Sequence, residues 1–175
     1  MFIGRPELLY TSNNQVLYKS GTIYSNFTPL VKAPVIGYRI SGDDVLKILK
    51  KITKKNFSKD HSLIRIVKIY QKDESILDEC SVVYFKSPKS FTGEDVCEIF
   101  LHGSPLIASQ FEQLLKDLKV SGLRLAKNGE FSYRSVLNSK NSLKQAKAIN
   151  DIISNESFSG LEYNNRLLFD GDIVS

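Results

Sequence analysis

Apolar residues recur at every second position in several short stretches of the chain, and at helical spacing in others. Gly21–Phe27 alternates through Ile23, Ser25 and Phe27 and predicts a strand. Pro29 and Pro34 bracket a loop, and Pro34–Ile40 predicts a second strand. In it Ile36, Tyr38 and Ile40 share one face, while Gly37 and Arg39 share the other. The segment SGDDVLKILKKI predicts a helix, with Ser41 as N-cap, Asp43 and Asp44 in the first turn, and Val45, Leu49 and Ile52 as its apolar stripe. Ser62–Tyr70 and Ser81–Lys86 are strand-like, joined by an acidic hairpin-like segment, Asp73–Glu79. Glu94–His102 predicts a further strand. SPLIASQFEQLLKDLK follows as an amphipathic helix, capped by Ser104 and opened by Pro105, with Ile107, Phe111, Leu114, Leu115 and Leu118 in the stripe. Gly122 lies past its end, Leu123–Ala126 predicts a short strand, and another helix is expected from about Ser142 through Leu143, Ala146, Ile149, Ile152 and Ile153. Glu156–Ser175 has no period and is expected to be loop or partly disordered. Runs of strands with inserted helices and no internal repeat predict an α+β fold, a mixed or antiparallel sheet with packed helices.

At 175 residues, 42% hydrophobic and 25% charged, the chain suits one domain with a real core. No apolar run approaches the roughly 18 residues of a membrane helix. The first 20 residues lack the apolar core of a secretory signal, and with basic Arg5 and Lys19 interrupted by Glu7 they make at best a weak mitochondrial presequence. Cys80 and Cys97 have no metal-ligand spacing and read as buried thiols in a reducing compartment. The net charge is +5, with Lys50, Lys51, Lys54, Lys55 and Lys59 clustered. Such a cluster suits either an RNA partner or the solvated end of a helix, where cations complement the dipole. The missing aromatics favour the helix end.

The residue that stands out is Glu98, in mid-strand on the face of Val96 and Phe100. A carboxylate among apolar neighbours needs a partner. Arg39 is the counterpart on another strand, beside Gly37. The two form an internal ion pair or charges at a sheet edge. Alternatively they line a ligand pocket, where a carboxylate accepts parallel hydrogen bonds from an amino-imine edge such as a pterin's, and a cation suits an acidic tail. His102 reads as a strand-end structural histidine, and Glu94 and Asp95 as turn residues rather than acid catalysts. The 175 residues contain no GxxxxGK[ST], GxSxG, CxxC or HExxH, which excludes P-loop nucleotide chemistry, the serine-elbow hydrolases and the common zinc sites from this chain.

Three segments carry a resemblance. GTIYSNFTPLVKAPVIGYRISG, SVVYFKSPKSFTGEDVCEIFLHGSP and RLAKNGEFSYRSVLNSKNSLKQAKAINDII are similar, in order and spacing, to the amino-terminal region of the tRNA-modification GTPase family MnmE, also called TrmE. The resemblance implies a fold similar to folate-binding aminomethyltransferase domains. It implies a homodimer that binds a tetrahydrofolate derivative (5-formyl- or 5,10-methylene-tetrahydrofolate) near the dimer interface. In the family, an MnmG-type flavin-dependent partner cooperates in adding an aminomethyl-type group to carbon 5 of the wobble uridine of tRNA. GTP and potassium belong to a separate inserted domain. Residue by residue, the family's folate-contacting arginine, glutamate and lysine fall on Arg39, Glu98 and Lys140. The family's glycine-rich PPGRGG is PLVKAP here, PGEF is NGEF at Asn128, the acidic residue before LxQAEA is Ser142, and the glutamate of QAEA is Lys147.

The expected organisation is an amino-terminal extension over 1–20, the folate-binding dimerisation domain over 21–140, and the start of a helical domain with a tail over 141–175. The expected function is a tetrahydrofolate-binding, dimerising module of the wobble-uridine system without the GTPase domain. The alternative is a degenerate or repurposed interaction domain that binds no folate. The expected compartment is the cytoplasm, with the mitochondrial matrix as alternative, and no membrane partner.

Overall fold

The computed structural model describes residues 7–10, 16–19, 21–30, 33–57, 64–138, 140, 142 and 145. Strands β1 (Glu7–Tyr10) and β2 (Val16–Lys19) pair as an antiparallel ribbon. Then come β3 (Ile23–Asn26), β4 (Val35–Ser41), α1 (Val45–Thr53), β5 (Ile64–Tyr70), β6 (Ile76–Phe85), β7 (Val96–His102), α2 (Pro105–Asp117), β8 (Arg124–Leu125) and α3 (Glu130–Leu137). Six of these strands make one sheet in the order β5-β6-β7-β4-β3-β8. Every pairing is antiparallel except that of β8 with β3, so the sheet is mixed and the fold is α+β, as expected from the pattern.

Alternation divides the sheet into two unlike faces. Ile36, Tyr38 and Ile40 of β4, Cys97, Ile99 and Leu101 of β7, and Cys80, Val82 and Tyr84 of β6 belong to the buried core. That core also takes in Val45, Ile48, Leu49 and Ile52 of α1 and Ala108, Phe111, Leu114 and Leu115 of α2. Burying each large aliphatic side chain is worth about 1.5–3 kcal/mol, so this helix-covered side supplies most of the cohesion. Both cysteines are free and buried, and burial pushes their thiols up, that of Cys80 to about 12. The opposite face carries Ser25, Gly37, Arg39, Ser41, Glu98 and Phe100, in register across β3, β4 and β7.

Three local expectations change. Ser41 does not cap α1. It remains in β4, and Asp44 is the N-cap, its amide donating to the Thr22 hydroxyl at 3.0 Å. The chain turns between them at Gly42, whose φ of +133° excludes most side chains. The acidic segment Asp73–Glu79 is mostly strand. The turn is confined to the residues before β6, which starts at Ile76 because its pairing with β5 continues to Tyr70. Residues 130–137, between the short strand and the helix expected from Ser142, form α3 where no element was expected. Its buried positions are Arg134 and Ser135, so no apolar period announces it. The helix expected from Ser142 and the tail beyond Glu156 lie outside the described residues, apart from positions 142 and 145. Among the described residues no helix is long and apolar enough to cross a membrane.

Candidate functional site

Arg39 and Glu98 are direct cross-strand partners in the β4–β7 register. Nε and Nη2 of Arg39 both donate to the same oxygen, Oε1 of Glu98, at 2.9 and 2.7 Å. Among the described residues no donor reaches Oε2, so half of the carboxylate is available to a further donor. The side chains are 24% and 20% exposed, which keeps the pair within reach of a ligand from solvent.

Three aromatic rings surround the guanidinium. Phe27, Phe91 and Phe131 have centroids 5.5, 4.9 and 5.7 Å from the Arg39 Cζ. Each contact is worth about 0.5–1 kcal/mol where solvent still reaches it, and more where it does not. Phe27 can lie across β4 because position 37 is glycine, and any Cβ there would strike the Phe27 ring. The same ring meets Phe100 edge-on at 5.8 Å. Beside Arg39, a cavity of about 190 Å³ runs along Ser25, Asn26 and Phe27 to the 126–129 loop and Phe131. Arg39 lines it, and Glu98 does not.

Lys140 is exposed and makes no ion pair with Glu98. Its amide donates to the Ser135 carbonyl at 2.8 Å, and its stem crosses Gly93, where a Cβ would lie 2.9 Å from Lys140 Cγ. The structure therefore brings Arg39 and Glu98 together and connects Lys140 to them through the turn at 91–94. In that turn Phe91 touches Arg39. The Thr92 hydroxyl meets Ser41 at 2.7 Å, the Thr92 carbonyl accepts from Asn138 at 2.8 Å, and Gly93 supports Lys140.

Beneath the turn lies a buried ionic network that the sequence reading missed. Arg134, 2% exposed, donates through Nη1 to both oxygens of Glu94 at 3.1 and 3.0 Å. Its Nη2 donates to the Gly21 carbonyl and to Glu130 Oε1, each at 3.1 Å. Ser41 donates to Glu94 Oε2 at 2.6 Å, and Arg124 closes the far side on Glu130 at 2.8 and 2.6 Å. Glu94 was expected only to serve a turn; here it ties the turn to α3. The available signal was the arginine inside GEFxxRxxLNxK, fixed in spacing to Lys140 but with no periodicity to mark it as buried. His102, at the end of β7, has the strand-end role expected of it. Its Nδ1 lies 2.7 Å from Oδ1 of the buried Asp78, whose Oδ2 accepts its amide at 2.8 Å. Among the described residues no group of three or more His, Cys, Asp or Glu could hold a metal ion.

Burial raises the Glu94 carboxyl, and Arg134 and Ser41 work against that rise. Burial also acts upward on Glu130, but hydrogen bonds from Arg124, the Lys127 amide and Arg134 more than reverse it and hold the carboxyl at about 2. A depressed acid adds stability above its unfolded value and loses it as pH falls through the folded one. Glu130 therefore contributes stability at neutral pH that disappears between about 4.5 and about 2. Glu130→Gln is expected to flatten the acid limb of the stability profile, measured by urea unfolding across that range. An unchanged limb would refute this assignment.

Comparison with known proteins shows the family of this chain. The family model described as the GTP-binding protein TrmE N-terminus matches residues 22–140. A tRNA modification GTPase MnmE from Helicobacter pylori (strain HPAG1) is 43% identical over 139 residues, covering 79% of this chain and 29% of that protein. The protein of the same name from Malacoplasma penetrans is 42% identical over 132 residues, covering 75% and 29%. That of Rickettsia bellii (strain OSU 85-389) is 39% identical over 136 residues, covering 78% and 30%. The chain thus spans under a third of the length of these curated relatives.

Proposed function

Since the chain belongs to the TrmE amino-terminal family, we propose that it is a tetrahydrofolate-binding, dimer-forming module of a tRNA wobble-uridine modification system. The observation that carries this reading is Glu98, held by Arg39 through one oxygen, with no donor among the described residues on the other. A pterin presents adjacent N–H donors, and a fixed carboxylate with a free oxygen is their natural acceptor. The aromatic rings around Arg39 provide apolar surface for a planar ring, and Arg39 and Lys140 provide cations for an acidic tail. When bound, tetrahydrofolate supplies a one-carbon unit. The chain's own residues bind and orient it. The chemistry on carbon 5 of the uridine involves an MnmG-type flavin-dependent partner and tRNA in the cytoplasm, and GTP turnover belongs to a different domain of the family. Calorimetric titration with 5-formyl-tetrahydrofolate tests the reading. One saturable site per chain is expected, and an absence of heat at millimolar ligand (about −4 kcal/mol of affinity) would overturn it.

A second reading has one observation in its favour: Arg39 and Glu98 already pair with one another. A repurposed interaction domain would retain that pair without ligand affinity, and the same titration separates the two.

The open face of the sheet supports dimerisation. Ile64 and Ile66 of β5 are 71% and 61% exposed, on the sheet face opposite the one that packs against α1 and α2. A second copy is the commonest cover for such a surface. Light scattering is expected to give twice the chain mass, and Ile64→Lys with Ile66→Lys to give the monomer. A monomeric parent at tens of micromolar (roughly the range of functional dimers) would count against it. Because the 175 residues hold no glycine-rich phosphate loop, fluorescent guanine nucleotide is expected not to bind this chain; saturable binding would contradict that.

A further inference from the structure

The clustered lysines form more than the solvated end of a helix. Lys54 takes the left-handed conformation, φ 59°, with its amide on the Lys50 carbonyl at 2.9 Å, and this ends α1 and turns the chain back. Phe57, 4% exposed, then tucks into the core beside the helix. Between the helix and the returning chain lies a groove of about 530 Å³, lined by Leu46, Lys47, Lys50, Lys51, Asn56 and Phe57. Lys54 is occupied by Glu74 and the Tyr70 ring, and Lys47 is 3.4 Å from Asp44. Lys50, Lys51 and Lys55 are exposed, and make no ion pair with any described residue. Complementing the helix dipole accounts for Lys50 and Lys51 near the last turn. It does not account for a concave wall that also includes Lys47 in the first turn.

We propose that this groove is a docking surface for the ribose-phosphate backbone of RNA. Lys47, Lys50 and Lys51 would meet phosphates, and Leu46 and Phe57 would form the floor beneath the sugars. The inference rests on the reading that this chain serves tRNA modification, and adds where the nucleic acid is held. α1 packs on the sheet face opposite Arg39 and Glu98, so the groove stays open when the other face is covered. A membrane surface fits less well. The large apolar residues of α1 other than Leu46 are in the core, leaving little to insert between lipids. Lysine point charges along a groove suit a flexible row of phosphates, whose binding falls with salt as counterions are released.

The test is fluorescence anisotropy of transcribed tRNA with the full 175-residue chain, from about 50 to about 200 mM salt. Wild-type binding is expected to weaken steeply with salt. Lys50→Glu with Lys51→Glu is expected to lose at least about tenfold in affinity and to make the salt slope shallower by about two. Its folate titration should be unchanged, and its melting temperature should fall only slightly, from losing two cations at the C-terminal end of α1. Lys86→Glu with Lys89→Glu, exposed in the β6–β7 turn, makes the same change in net charge and should bind tRNA nearly as the parent does. The proposal is overturned if the parent does not bind tRNA, if the groove variant binds as the parent does, or if the control loses as much. It is also overturned if phosphatidylserine vesicles or polyglutamate use the same lysines as tightly as tRNA. Loss of folate binding with tRNA binding intact would sink the reading of the Arg39–Glu98 site alone, and the reverse result would sink the groove alone.

Discussion

Arg134→Ala is expected to lower the unfolding free energy by about 3–5 kcal/mol, the cost of breaking a buried ion pair by removing one partner. The reason is what remains behind. Glu94 and Glu130 have side chains only 9% and 11% exposed, and both pair with the one guanidinium. Without it Glu94 retains the Ser41 hydroxyl, and Glu130 retains Arg124 and the Lys127 amide, so Glu94 is the group left uncompensated. Adding Glu94→Gln to Arg134→Met should therefore recover part of the loss, because an amide is far cheaper to bury than a carboxylate. Arg134→Lys keeps the charge but cannot reach Glu94, Gly21 and Glu130 through a planar fork, and should fall between the two. Urea unfolding with an unchanged m-value is the measurement. A loss below about 1 kcal/mol for Arg134→Ala, the scale of an exposed pair, would show that the network does not hold α3 to the sheet.

Glu98→Gln is expected to weaken tetrahydrofolate binding by about 2–4 kcal/mol, from losing a charge-assisted hydrogen bond and facing a ligand donor with an amide nitrogen. Its effect on stability should be small, near 1 kcal/mol, the value of a pair that water still reaches. Arg39 keeps its contacts with the Phe27, Phe91 and Phe131 rings, so its charge is not stranded. A purely structural pair predicts the other outcome: a clear drop in melting temperature from a parent that never bound folate. Melting and titration of the same variant therefore decide between them.

The difference between these variants follows from how each pair is built. Arg39 and Glu98 stand in alternating strands, so alternation alone placed Arg39 opposite Ile36, Tyr38 and Ile40, and marked Glu98 as a carboxylate on the face of Val96 and Phe100 that needs a partner. Arg134 was not visible in that way. It lies on a short helix whose buried side is polar, and it meets Glu94 forty residues away and the Gly21 carbonyl 113 residues away. No local period encodes a contact of that kind.

The sequence by itself determined the faces of β4 and β7, the amphipathic α2 opened by Pro105, and the motifs that assign the family, because each depends on spacing within one segment. It also brought Arg39, Glu98 and Lys140 forward as candidates. Only the tertiary structure decided that Arg39 and Glu98 are opposed in register, that three phenylalanines from separate segments enclose the guanidinium, and that Lys140 lies against the 91–94 turn whose Phe91 touches Arg39. It alone set Lys47, Lys50 and Lys51 along one groove. Strand register and loop return are settled by packing across the whole sheet, where burial of one apolar face selects a single alignment among many that local alternation permits equally well.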